Sequence, residues 1–223
     1  MKWFGDSQRC MFGLRVVAAV VSMIASLSGT ALAHPHSWID VKTLLVGKDG
    51  QLTGISYIWQ FDPMTSVFML DGKDLDEPQR QQTLDNMAAH ILSNIHYHHY
   101  FSKLKQGEQL VAFGEGSQPR VSLQGRVVSF SFYLPLAEPV SLSEQSLSLR
   151  VYDPSYFIDM SWRGEMDLDL SIELQGLCEV DIIEPTPSQE LINYALSLPA
   201  DADPDDSLGE MFTQHGEVRC DLL

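Results

Sequence analysis

Between Gly107 and Ile183 the chain is a series of short strand-forming runs separated by breakers. The runs are Arg120–Gln124, Arg126–Leu134, Leu147–Tyr152, Tyr156–Trp162, Met166–Leu174 and Glu179–Ile183, and Gly125, Pro135, Pro139, Asp153-Pro154 and Gly176 fall between or within them. Runs this short, rich in β-branched and aromatic residues and spaced by turn formers, are strands. Upstream, Ser37–Val46 and Gln51–Phe61 flank Gly47-Lys48-Asp49-Gly50, two β-runs across an Asp-Gly turn and therefore a hairpin. The expected fold is mainly β, a β-sandwich or open antiparallel barrel. One long helix interrupts it. From Gln79 to about Tyr100, the residues Leu84, Met87, Ile91, Ile95 and His99 recur every three or four positions, an amphipathic stripe. Met64–Leu70 reads as a short helical turn, and Ser188–Leu198 and Leu208–His215 as short C-terminal helices before a last strand at Glu217–Cys220.

Residues 1–33 read as a cleaved secretory signal. Lys2, Arg9 and Arg15 lie in a short basic region, Val16–Leu27 is apolar, and Ala31-Leu32-Ala33 is the small-x-small pattern that signal peptidase cuts. The apolar run falls short of the ~20 residues a membrane span needs; an uncleaved anchor is the alternative. Cleavage would leave 34–223 as a single periplasmic or secreted domain, with no span after the signal. The signal holds three of the 14 basic and one of the 30 acidic residues, so 11 basic and 29 acidic residues remain, a net charge of −18. Nucleic acid and anionic membrane surfaces would repel such a chain, whereas cations would be attracted. Cys10 leaves with the signal, and the remaining Cys178 and Cys220 read as one disulfide in an oxidising compartment, with two buried thiols as the alternative.

The chemistry concentrates in histidine. His34 would become the new N-terminus, with His36 two residues on and Asp40 four beyond that. Imidazole is a ligand for Zn, Ni, Cu and Co, and Asp40 could add an oxygen or orient a ligand. In an extended strand His36 and Asp40 share a face but stand about 13 Å apart, so Asp40 reaches the same metal only if the chain bends. Pro35 has no N–H, which rules out the amino-terminal square-planar Cu/Ni chelate. A second group, His96, His98 and His99, closes the long helix, where His96 and His99 would share a face at i, i+3. A helix C-terminus also favours histidine through its dipole. The acidic loop Asp71, Asp74, Asp76 lacks the spacing of a Ca²⁺ loop. Gly-x-Ser-x-Gly, P-loop and His-Glu-x-x-His motifs are absent, so the expectation is a binding protein and not an enzyme.

Five pieces carry a wider likeness: His34-Pro35-His36-Ser37-Trp38-Ile39-Asp40; Leu52-Thr53-Gly54-Ile55 leading to Trp59-Gln60-Phe61-Asp62; Leu134-Pro135-Leu136; Val151-Tyr152-Asp153-Pro154-Ser155-Tyr156-Phe157; and the pair Cys178 and Cys220. In this order they resemble a family of exported bacterial proteins of unknown function, labelled the periplasmic component of an uncharacterised ABC-type transport system. The likeness covers essentially the whole mature chain. Family members often carry a fuller Asp-x-Asp-x-Asp-Gly loop where this chain has Asp71–Asp76, so a Ca²⁺ role does not carry over. Genes of this family tend to lie beside nickel/cobalt or zinc permeases. The resemblance therefore implies periplasmic handling of a divalent transition metal, Zn or Ni, with an inner-membrane metal permease or ABC-type transporter as partner. Two rivals stand beside it. One is a metal-free adaptor domain acting through the surface around Tyr152–Phe157, and the other is a copper oxidase built on an N-terminal His34.

Overall fold

A computed structural model describes residues 35–142, 145–199, 202 and 207–220. Strands β1 (Ser37–Lys48) and β2 (Gln51–Phe61) form the expected hairpin. Asp49 and Gly50 at its tip have φ of 52° and 74°, the left-handed pair that an Asp-Gly turn supplies. Helices α1 (Pro63–Leu70) and α2 (Arg80–His96) follow, then β3 (Ser102–Gln106), β4 (Gln109–Leu110), β5 (Ser117–Gln124), β6 (Val127–Ser141) and β7 (Leu147–Val151). The chain continues through β8 (Ile158–Ser161), β9 (Leu168–Leu170), β10 (Cys178–Ile183), α3 (Gln189–Ser197) and α4 (Leu208–Phe212) to β11 (His215–Cys220). The fold is mainly β, in two sheets with no closed barrel: β5-β6-β2-β1-β8, with β9 also paired to β1, and β10-β11-β7-β3-β4.

The core lies between the sheets because each central strand alternates. On β1, Ile39, Val41 and Leu45 are buried while Trp38 and Leu44 are exposed; on β6, Val128, Phe130, Phe132 and Leu134 point inward. Leu104 of β3, Leu147 and Leu149 of β7 and Val218 of β11 join the same cluster from the second sheet. Burial of this kind contributes about 25 cal/mol per Å² of apolar surface, and it selects one register, since a one-residue slip would turn every such side chain to water. Helix α2 lies against β5 and buries Leu84, Met87, Ala88 and Ile95. No helix among the described residues is long and apolar enough to cross a membrane.

Several elements depart from the sequence reading. β6 runs straight through Pro135 and Pro139, with a shift of the β2–β6 register between Leu52 and Gly54. The segment ahead of β5 pairs beside Pro135: Gly114 N donates to Pro135 O and Ala137 N to Ala112 O. β8 and β9 pair with β1 in parallel, not antiparallel, and the Trp162 indole N–H donates to buried Thr43 Oγ1 at 2.9 Å to hold that edge. Only Leu168–Leu170 of the expected strand Met166–Leu174 is extended. The long helix stops at His96, four residues early.

Helix α1 is fixed by its cap. Asp62 Oδ1 accepts from Met64 N at 2.8 Å and Thr65 N at 3.0 Å, and Oδ2 accepts from Thr65 Oγ1 and, at 3.2 Å, from Trp38 N. Burial works to raise the Asp62 pKa, but the hydrogen bonds from Thr65, Trp38 and Met64 outweigh it and hold the carboxyl below its ordinary value. A group depressed in the native state contributes its stability above the unfolded pKa of about 3.9 and loses it as pH falls through the lower native value. Asp62→Ala is expected to destabilise by about 1–2 kcal/mol at pH 7, with the gap to wild type narrowing as pH falls below the unfolded value, as read by urea unfolding across pH.

The two cysteines are bonded. Cys178 and Cys220 face one another across the β10–β11 ladder and close a loop of 42 residues. Closing a loop of that length removes about 4 kcal/mol of unfolded-state freedom. The Cys178→Ser/Cys220→Ser double variant should therefore unfold at lower urea, by about 2–4 kcal/mol, and wild type in reductant should match it.

Candidate functional site: a histidine-rimmed cleft

The apolar stripe that suggested helix through Tyr100 is abandoned after Tyr97. His99, Tyr100 and Phe101 take φ of 51°, 56° and 50°, three consecutive non-glycine residues in the left-handed region, each costing roughly 1–2 kcal/mol. Buried anchors hold the turn. Tyr100 is buried and its hydroxyl accepts from Gly116 N at 2.8 Å, while Ser102 Oγ donates to Tyr100 O at 2.9 Å. A Cβ on Gly116 would lie 2.7 Å from the Tyr100 ring, so a side chain there would expel the anchor. Phe101 packs 6.2 Å from the Trp59 indole, ring centre to ring centre, and its carbonyl accepts from Tyr152 N at 2.8 Å.

This turn forms one wall of a cleft of about 590 Å³. His96, His98 and His99 lie on its lining with Tyr100 and Phe101; Leu104, Val111 and Phe113 supply apolar surface, and Lys103, Tyr152 and Pro154 line it as well. All three histidines are exposed. His98 stacks on Phe101 at 5.3 Å. His96 Nδ1 is 2.8 Å from the Tyr100 hydroxyl, which engages that ring nitrogen. Because the helix ends before His99, the expected i, i+3 helical pair of His96 and His99 does not form; the three rings share a cleft instead.

Of the first histidine group, His36 sits at the other end of one corner. Asp153 is buried, its Oδ1 accepting from Ser155 N and Oγ and its Oδ2 from Ile158 N, which folds Val151–Phe157 into the strand–turn–strand expected. Tyr152 N bonds to Phe101 O on the cleft side, and Phe157 O accepts from His36 N at 2.9 Å, with the His36 ring stacked 4.5 Å from Phe157. Five residues separate the two ends, at most roughly 18 Å of chain. His34 lies outside the described residues. Asp40 is not drawn into either group: its Oδ1 accepts from Arg163 Nε at 2.6 Å, an exposed pair. Among the described residues no three His, Cys, Asp or Glu side chains converge as a metal-binding group.

A charged row that the sequence reading missed lies beneath the cleft. Lys103 on β3 pairs in register with Arg150 on β7, and Glu210 of α4 reaches down to Lys103 Nζ at 2.8 and 2.9 Å and to Arg150 Nε at 3.9 Å. Helix α4 comes this close because Gly209 has no side chain; a Cβ there would lie 1.9 Å from Asp153 O. The Glu210 hydrogen bonds keep Lys103 protonated above its usual range, against burial. Burial raises the Tyr152 pKa, with the Glu210 charge adding to it, so the residue stays a phenol. His215, absent from the histidine groups read from sequence, is pushed down by burial and by Arg150. Lys103 and Glu210 are 107 positions apart in the chain, Arg150 lies far from both, and no local pattern joins them. The cleft therefore presents apolar surface, a phenol, one ammonium held by Glu210 and several imidazoles.

Burial would raise the Glu210 pKa, and the Lys103 hydrogen bonds with the charges of Lys103 and Arg150 carry it below its ordinary value instead. Its stabilisation is present above the unfolded value of about 4.3 and disappears as pH falls through the native one. The group is part-exposed, so Glu210→Gln should cost about 0.5–1 kcal/mol at pH 7 and progressively less as pH falls below the unfolded value, by thermal unfolding at each pH.

Similarity to known proteins runs the length of this domain. An uncharacterized protein of Haemophilus influenzae is 33% identical over 200 residues, which cover 87% of this chain and 95% of that protein. The family model described as "Protein of unknown function (DUF1007)" matches residues 19–220, and the chain belongs to that family.

Proposed function

We propose that this protein is an exported, periplasmic accessory protein that binds a divalent transition metal, Zn²⁺ or Ni²⁺, and exchanges it with an inner-membrane metal permease or ABC-type transporter. The observation that carries the reading is the gathering of exposed His96, His98 and His99 on one cleft, with His36 at the far end of the same corner. The donor chemistry fits late first-row ions. As placed, the rings do not converge, so binding requires the exposed rings of His98 and His99 to turn toward His96, or His34 to complete the set. Asp40, already paired with Arg163, is left out of the ligand set. Tyr100 would orient His96 as an outer-shell partner, the role such groups take at metal sites. The acidic mature surface favours capture of cations.

The test uses protein produced through export, so that processing defines its N-terminus, titrated with Zn²⁺, Ni²⁺, Co²⁺ and Cu²⁺. One-to-one binding tighter than about 10 μM, roughly −7 kcal/mol, is expected. It should weaken at least ~10-fold in His96→Ala/His98→Ala/His99→Ala or in His34→Ala/His36→Ala, each substitution set removing ligands worth more than 1.4 kcal/mol. Binding should also fall as pH drops below about 6.5, because imidazole ligates only when deprotonated. Failure of all four metals to bind at 10 μM overturns the proposal.

A further inference from the structure

Helix α1 is amphipathic the wrong way round. Its sequence, Pro63-Met-Thr-Ser-Val-Phe-Met-Leu70, has apolar residues on nearly every side, yet the face turned to the core carries fully buried Ser66. Its hydroxyl donates to Phe61 O at 3.3 Å and accepts from Val128 N at 3.0 Å. Met64, Val67 and Phe68, at i, i+3 and i+4, point outward and are 82%, 46% and 81% exposed. The orientation is not slack. The Asp62 cap fixes one end, Ser66 the middle and buried Leu70 the other end, so the helix cannot roll its apolar stripe inward without breaking these bonds. A rigid, solvent-facing apolar stripe of this kind marks an interaction surface. Its border is acidic: Asp71, Asp74, Asp76 and Glu77 follow directly, all exposed, with Lys73 the single cation among them.

We infer that the Met64–Val67–Phe68 face of α1 is a docking surface for a protein partner that offers an apolar socket rimmed by lysine or arginine. Charge selects this occupant. An anionic lipid surface would be repelled by the acidic border and by the chain's net negative charge. A second copy docked face to face would set one acidic border against another, since a two-fold interface brings the same patch to itself. A basic-rimmed socket satisfies both the stripe and the border, with the border steering the encounter. This surface is separate from the histidine cleft, and the inference stands whether or not a metal binds.

The experiment places a photo-crosslinking amino acid at Val67 or Phe68 of the full chain in the cells that produce it, with Met166 and Ile172, also highly exposed, as control positions. The expected result is one protein adduct from positions 67 and 68, absent at 166 and 172, whose crosslinked peptide carries Lys or Arg beside apolar residues. Its yield should fall at least ~5-fold in Asp74→Lys/Asp76→Lys and stay unchanged in His96→Ala/His98→Ala/His99→Ala. Overturning results are no adduct above the controls, an adduct only to a second copy, or a yield indifferent to the charge reversal. Co-sedimentation of purified protein with phosphatidylglycerol–phosphatidylethanolamine vesicles, abolished by Phe68→Ser, would likewise overturn it in favour of a lipid surface.

Discussion

Tyr57 stands at the centre of the domain, fully buried on β2, and its hydroxyl donates to Ser102 Oγ at 3.0 Å while Ser102 Oγ donates onward to Tyr100 O. That relay joins the inner face of the first sheet to the first strand of the second and to the left-handed turn between helix and strand. Burial drives the Tyr57 pKa far above its usual value, partly opposed by the Ser102 bond, so the phenol stays protonated and remains a donor. A hydroxyl left unpaired at this depth would forfeit about 1–3 kcal/mol, which makes the relay a strict requirement on where β3 begins. The position of Ser102 in turn fixes His99–Phe101, and so the wall of the cleft.

The turn shows how local strain is made tolerable. Three left-handed residues are individually unfavourable, but each neighbour interaction is worth most in that conformation alone: Tyr100 in its slot against Gly116, Phe101 against Trp59, and Phe101 O with Tyr152 N. Strain of this kind persists where surrounding structure over-determines it, and such places cluster at functional sites. The outcome here is that consecutive imidazoles are held off the helix axis and over a cleft, which a continued helix would have spread around its circumference.

The hairpin, the mainly β character, the disulfide pairing and the corner at Asp153-Pro154 were legible in the sequence because each rests on local chemistry: an Asp-Gly turn, alternation, an even pair of cysteines, a turn-forming Asp-Pro. Strands β3 and β4, at Ser102–Gln106 and Gln109–Leu110, were not read. What misled was also local. The period of Leu84, Met87, Ile91 and Ile95 continues arithmetically to His99, yet His99 is exposed and Tyr100 takes the buried slot, because a tertiary anchor at Gly116 outweighs helix propensity. Pro135 looked like a strand end, yet the strand continues, with residues 112 and 114 arriving to pair beside it. Parallel pairing of β8 and β9 with β1, and the Lys103–Arg150–Glu210 group, depend on segments far apart in the chain and leave no pattern in any short window. The histidines themselves were conspicuous; their common corner was not.

The placement of β11 carries a consequence for the order in which the molecule comes into being. This last strand is not at an edge: it lies between β10 and β7, so residues 215–220 fill the middle of the second sheet. A chain that emerges N-terminus first has every strand of its first sheet in hand by Leu170. Until the final stretch arrives, β7 and β10 lack a common neighbour, and Cys178 waits without its mate. The second sheet is thus sealed by the last segment to be delivered.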